Sequence, residues 1–261
     1  NAFSENPLPG IIEVVPRERD GAGIKLLAQQ IAGQDGVDQV SFDADATHYT
    51  REIFVSRPDQ VLMMKFKSSG KNKMNISLSL NSLLNHKVEA ELGAFLLFKN
   101  KVQMKGIAPS VAEPNYRGNI KDAVQYDSTK SMRFVADAGV YKTDGKIKTV
   151  GDKLIVDGAT EIILFVSLAT SFNGFDKNPA LQGKDELAIS DQHLRKLASK
   201  KYEEIKLKHV QDFSSYYNRV QLNLENRERR SIPTDERLRQ FAKGTVDNDL
   251  ASLYCQFGRY L

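Results

Sequence analysis

The sequence predicts a mainly β chain, with two packed antiparallel sheets followed by α-helical segments. Period-two alternation fills the first two-thirds, Asp-Gly and Gly-Lys turns punctuate it, and helical spacing takes over after a polar connector between Asp176 and Asp191. Met74, Ile76, Leu78 and Leu80 alternate with Asn75, Ser77, Ser79 and Asn81, which predicts a half-buried strand. Met132, Phe134, Ala136, Ala138 and Val140 repeat the pattern. Asp144-Gly145 then reads as a hairpin turn that returns the chain through Ile147. Ile162 to Leu168 is apolar at every position but Ser167, so that strand is expected to be covered on both faces. Gly158 before it and Asn173-Gly174 after it favour a strand over a buried helix. Asp35-Gly36 and Asp157-Gly158 mark further turns, and the β region is taken to begin near Ile11.

Beyond the connector, Leu194, Leu197, Ala198, Ile205, Phe213, Tyr216, Tyr217 and Val220 recur at helical spacing. Lysines and glutamates between them suit a mixed-charge outer face. This predicts one long amphipathic helix to about Arg219. Pro233-Thr234-Asp235-Glu236 looks like a second helix start, with Thr234 as N-cap, acids in the first turn and Gly244 as the stop. Asp247 to Leu261 forms a last helix whose Leu250, Leu253, Tyr254, Phe257 and Leu261 make a face that must be buried. It ends without a capping Gly or a polar tail. The expectation is that it opens a domain largely absent from this chain.

Composition excludes several classes. With 261 residues, 41% hydrophobic and 27% charged, the chain is ordinary for a globular protein. A formal charge of +4 is too mild to imply nucleic acid, and Lys65, Lys67, Lys71 and Lys73 read as a solvated hairpin. No apolar run nears the ~18 residues needed to span a bilayer. The one cysteine, Cys255, is expected to be a small core residue.

The residues that could carry chemistry form no recognisable constellation. His48, His86, His193 and His209 are scattered, without the spacing of a metal site. His209 and Asp212 share a helix face, and a surface or interface pair is the simpler expectation than a general base. Nucleophile elbow and Walker loop are both lacking. Spacing therefore assigns no catalytic, cofactor-binding or metal residue.

Several stretches, taken in order, resemble glycoside hydrolase family 95, the α-L-fucosidases and related α-L-galactosidases. They are Tyr49-Thr-Arg51-Glu-Ile-Phe54-Val-Ser56-Arg-Pro58-Asp59-Gln60-Val61, Ser131-Met132-Arg-Phe134 leading to Asp144-Gly145, and Val156-Asp157-Gly158-Ala159-Thr160-Glu161 with Ala169-Thr170-Ser171-Phe172. His209-Val-Gln-Asp212-Phe213, Tyr217-Asn-Arg219-Val220, Pro233-Thr234-Asp235-Glu236-Arg237-Leu238, Leu253-Tyr254 and Phe257-Gly258-Arg259-Tyr260-Leu261 complete the series. The resemblance implies an antiparallel β-supersandwich over residues 1–188, then a helical linker over 189–261 ending in the first helix of an (α/α)6 catalytic barrel. It implies inverting hydrolysis of terminal α-L-fucosides, with the general acid and the water-activating groups on the barrel, and so on no residue of this chain. It also implies a glycan substrate through the parent enzyme, contact with the missing barrel, and a periplasmic or secreted location. Fucosyl and galactosyl specificity stay open. Arg51 and Glu52 are expected in cross-strand or inter-sheet pairs. Asp235, Arg237, His209, Asp212 and Arg219 are expected to brace sandwich against barrel. Two other readings stay open. One is a carbohydrate-binding module using Tyr116, Tyr126 and Tyr141 in place of the absent Trp; the other is an interaction protein that dimerises through its helices.

Overall fold

Why the apolar run at 162–168 is a strand becomes clear from what covers it. In the computed structural model, which describes residues 12–16, 25–30, 35–92, 100–224 and 232–260, it lies in the middle of the larger of the two sheets that form the sandwich, Val111–Ala112 and Val124–Gln125 pairing separately. Ile11 and Leu261 fall outside the described residues. In chain order the strands are β1 (Ile12–Pro16), β2 (Lys25–Gln30), β3 (Asp38–Ala44), β4 (Thr47–Ser56), β5 (Val61–Gly70), β6 (Met74–Leu80) and β7 (Asn85–Leu92). β8 (Asn100–Ile107), β9 (Val111–Ala112), β10 (Val124–Gln125), β11 (Arg133–Thr143), β12 (Lys146–Val150), β13 (Lys153–Ala159) and β14 (Glu161–Thr170) follow. Four helices succeed them: α1 (Glu186–Ala198), α2 (Tyr202–Tyr217), α3 (Thr234–Ala242) and α4 (Asn248–Tyr260).

The larger sheet runs β2-β3-β4-β5-β14-β11-β8-β7 and the smaller β1-β6-β13-β12, every described pairing being antiparallel. Between the sheets lies one apolar cluster, with Leu78, Leu154 and Val156 facing Met104, Ala136, Ala138, Ile162 and Leu164. On the other face of the larger sheet, Phe54, Val61, Met63, Ile163 and Phe165 meet Leu194, Leu197, Tyr202 and Ile205 of α1 and α2. β14 thus sends Ile162, Leu164 and Val166 one way and Ile163 and Phe165 the other. At roughly 1.5–3 kcal/mol for each large apolar side chain fully buried, both faces contribute to stability, and a half-polar strand would fail here.

The same covering explains where β11 departs from its predicted half-burial. Residues 135 to 140 are all buried, because α1 lies over the face opposite the inter-sheet core. Asp137 on that face is 1% exposed and is satisfied by Lys101, Gln103 and Ser190.

Two predicted hairpins are sheet-to-sheet crossings. β11 belongs to the larger sheet and β12 to the smaller, so Asp144-Gly145 carries the chain across the sandwich. The Asp144 carboxylate staples this crossing to the β13–β14 return, accepting from the amides of Thr160 (2.8 Å) and Glu161 (3.0 Å) and from the Thr160 hydroxyl (2.6 Å). β5 and β6 likewise lie in different sheets. Lys65 there is no solvated side chain: it bonds Glu203 at 3.3 Å and lies 4.4 Å above the Tyr202 ring. Local turn chemistry is the same for a hairpin and a crossing, so sequence alone does not separate them.

The predicted long helix is two. α1 ends at Ala198, and Lys201 is extended (φ −90°, ψ 151°) before α2. Two tertiary bonds hold the break: the Tyr141 hydroxyl donates to the Lys200 carbonyl, and the Lys200 ammonium reaches Asp59, which is buried. The Glu204 carboxylate accepts the Lys201 amide at 2.9 Å and restarts the helix. Thr234 is the first residue of α3 rather than its cap, and the carbonyl of Pro233 before it accepts from Arg237. Gly244 does stop the helix, in the left-handed region at φ +94°.

Candidate functional site

A cleft of about 450 Å³ opens where β4, α2 and α4 meet, lined by Val55, Arg57, His209, Asp212, Phe213, Tyr216, Tyr217 and Arg259. Its floor follows from spacing on α2, where residues 209, 213 and 217 lie four apart and share a face. Phe54 of β4 stacks on His209 (centroids 4.9 Å), His209 on Phe213 (6.1 Å) and Phe213 on Tyr217 (4.9 Å), and the Arg259 guanidinium of α4 lies 4.7 Å above Tyr217. The ladder runs from the sheet to the last helix. Arg259 also donates to the carbonyls of Tyr217 and Val220, tying α4 to the end of α2.

The approach of α2 to the sheet requires Gly36. Its carbonyl accepts from His209 Nε2 at 3.0 Å, which places the proton on that nitrogen, and its φ is +69°. A Cβ at Gly36 would sit 2.8 Å from Phe213, so a side chain there would push the helix away.

The rim is charged. Between β4 and β5, Ser56 donates to Asp59 at 3.0 Å and the Asp59 amide returns to Ser56 at 3.3 Å, fixing a turn that projects Arg57. Arg57 Nε donates to Asp212 Oδ2 at 2.8 Å, with a second bond from Nη2 to Oδ1. This bidentate bond holds the Asp212 carboxyl below the ordinary carboxylate range and keeps Arg57 protonated. Tyr216 lies beneath Arg57 and Arg219, at 5.5 and 4.8 Å from its centroid. Further along α2, Glu52 of β4 receives Lys206 at 2.8 Å and the Tyr202 hydroxyl at 3.2 Å. Burial raises the Glu52 carboxyl, but Lys206, Tyr202 and Lys65 outweigh it and hold it low.

Chemically, the cleft has one carboxylate, and an arginine occupies both its oxygens. Glycoside hydrolysis by two carboxyl groups, one protonated, has no pair here. Among the described residues, no group of three His, Cys, Asp or Glu side chains could hold a metal.

The residues singled out from sequence divide in three. His209 and Asp212 do share a face, bonded to Gly36 and Arg57 respectively. Arg51 makes its cross-strand pair with Asp38 at 3.6 Å, whereas Glu52 reaches a helix. Among the described residues, the polar partners of Asp235 and Arg237 lie in α3 and at the start of α4. Asp235 pairs with Arg239 within α3, and Arg237, 3% exposed, binds Asp247 and Asp249 where α4 begins. Cys255 is exposed, contrary to its predicted burial. Of the three tyrosines offered as a sugar platform, Tyr116 is exposed, but Tyr141 packs against the sheet–helix core and bonds Lys200. Sequence gives Arg57 and Arg259 no role, and the four-residue spacing of rings on α2 is the signal that points to a cleft.

Comparison with known proteins separates the two walls of this cleft. Residues 33–174 match the description "Glycosyl hydrolase family 65, N-terminal domain", and residues 201–261 match "Glycosyl hydrolase family 95 catalytic domain". The first match takes in more than half of the chain. The chain belongs to the glycosyl hydrolase family 65 N-terminal domain family. Alpha-L-fucosidase 2 of Arabidopsis thaliana is 27% identical over 237 residues, which is 87% of this chain and 27% of the plant protein. The chain therefore spans about a quarter of that relative's length. A putative kojibiose phosphorylase from human microbiome aligns at TM-score 0.49 and 12% identity, over 79% of this chain and 27% of that one. The resemblance to family 95 is borne out, with a sandwich that carries a family 65 description. Val55 and Arg57 of this glycosyl hydrolase domain lie in the first match and α2 and α4 in the second, so the cleft marks their seam.

Proposed function

We propose that this chain is the non-catalytic sandwich and linker of an inverting glycoside hydrolase that releases terminal α-L-fucose, and that its role is to hold the start of the catalytic domain. The observation that carries the reading is the seam. A ring ladder and a bidentate Arg57–Asp212 pair join a hydrolase N-terminal domain to helices that match a hydrolase catalytic domain. Bidentate, stacked contacts of this kind suit fixed positioning, since they define orientation as well as distance. The fucosyl assignment follows the plant relative's name, and its 27% identity leaves α-L-galactosides as the competing substrate class.

The outward sides of the late helices fit this role. Leu238, Phe241, Leu253, Tyr254 and Phe257 are each more than 40% exposed, a concentration of large apolar side chains that suits burial against further structure. The test joins this chain to the remainder of a family 95 catalytic domain and follows a panel of aryl α-L-fucosides and α-L-galactosides, reading the first-formed anomer by NMR. Preferred cleavage of the fucosides with inversion is the expected result. Release of the retained anomer, or no preference between the sugars, would overturn the assignment.

A further inference from the structure

Strand direction places the loop that follows β14 at the same end of the larger sheet as the cleft. β4 runs to Ser56 opposite Val61, and β14, antiparallel to β5, runs to Thr170 opposite Phe134. The turn at 57–60 and the loop at 171–185 therefore leave the sheet at one end. Only β5 separates β4 from β14, which sets the two departures roughly 10 Å apart. Arg57 in that turn bonds Asp212, and α2 continues past it to Tyr217, whose carbonyl accepts from Arg259 of α4. α4 is thus docked at the end from which the loop projects, and the sideways offset between the departures is about one helix diameter, ~10–12 Å.

The loop is tied down along its length. Arg133 of β11 donates to the carbonyls of Ala180 (2.8 Å) and Lys184 (3.3 Å) and to the Glu186 carboxylate (3.0 Å). The Asn178 side chain accepts from the amides of Ala180 (2.8 Å) and Leu181 (3.1 Å) and donates to the Thr129 carbonyl at 2.9 Å. A Cβ on Gly183 would collide with the Pro179 carbonyl, so the two arms of the loop close without room for a side chain. Yet this fixed loop holds its large apolar side chains in water: Phe175 is 98% exposed, Leu181 73% and Phe172 54%. Hydrogen bonding that orders a loop while leaving such side chains outside is the character of an interaction surface.

We propose that the 171–185 loop is a second anchor for the catalytic domain, with Phe175 and Leu181 buried against that domain beside α4. The inference rests on the reading of α4 as the start of a catalytic domain. That domain is the occupant because its first helices are already fixed at this end of the sandwich and turn Leu253, Tyr254 and Phe257 outward, so one contact covers helix faces and loop together. Domains joined at a single narrow interface move relative to one another, whereas contact at both seam and loop sets the tilt of the catalytic domain as well as its position.

The test compares the 261-residue chain with the same chain joined to the remainder of a family 95 catalytic domain, by hydroxyl-radical footprinting. Modification of Phe175 and Leu181 should fall ~fivefold or more in the joined form, as for side chains passing from exposed to buried. Phe42 and Tyr49, paired towards the opposite end of the sheet, should not change. Protection of Leu253, Tyr254 and Phe257 with Phe175 and Leu181 still open would overturn the anchor and leave the hydrolase reading standing. Protection of neither set would remove that reading and the anchor with it. Protection of Phe175 that fades on dilution would assign the loop to a second copy and overturn the proposal. Phe175→Ser combined with Leu181→Ser should leave the melting temperature of the 261-residue chain unchanged, since both side chains are solvated there, and lower that of the joined form by about 2–4 °C. An equal shift in both forms, or none in either, would also overturn it.

Discussion

Asp144 concentrates three hydrogen bonds on one carboxylate at the point where the chain twice crosses between sheets. Those bonds, led by the Glu161 amide and the Thr160 hydroxyl, pull its carboxyl down to about 2 from 3.8. The native state therefore gains stability from ionised Asp144 above the unfolded value and loses it as the pH falls through about 2. Carboxyl-carbon NMR should place the midpoint near 2, and Asp144→Asn should flatten that part of the acid-unfolding curve; a midpoint near 3.8 would mean that the staple is not formed. Gly36 is the second decisive residue. Gly36→Ala puts a methyl against Phe213 in a left-handed backbone position and should lower the melting temperature by several degrees, the strain alone being about 1–2 kcal/mol. Sequence marked both residues as turn positions. What each turn joins depends on contacts far away in the chain, which local chemistry does not encode.

Helix α1 is held by the apolar contacts of Leu194 and Leu197, and α2 by those of Tyr202 and Ile205. Leu197 and Ile205 are both 0% exposed, so Leu197→Ala or Ile205→Ala should cost about 2–5 kcal/mol in denaturant unfolding. A much smaller loss would mean that the helices do not pack as described. Between α3 and α4 the joint is ionic. Arg237→Ala removes the guanidinium from the buried carboxylates of Asp247 and Asp249 and should weaken the helix pair by about 3–5 kcal/mol, read as lost amide protection in α4. Helical spacing predicted where apolar faces lie, but not the break at Lys200 and Lys201, because a buried aspartate and a tyrosine hydroxyl impose it from the sheet. Nor could spacing show that the side of α4 bearing Tyr254 and Cys255 faces outward.

At the scale of the molecule, the class of fold was legible because two-sided burial leaves a nearly unbroken apolar strand and one-sided burial an alternating one. β14 and β6 display the two patterns. The cleft was not legible. Its walls come from residues near 55, 210 and 259, and its one carboxylate, Asp212, is neutralised by Arg57, which is distant in sequence. That neutralisation is also why the cleft is assigned a joining role and no chemistry. Chromogenic α-L-fucoside hydrolysis tests this most directly, with the 261-residue chain assayed beside the same chain joined to the rest of a family 95 catalytic domain. Turnover confined to the joined form is expected, and Asp212→Asn in the short chain should change nothing. Measurable turnover by the short chain, abolished by Asp212→Asn, would contradict the assignment and move the chemistry into the cleft.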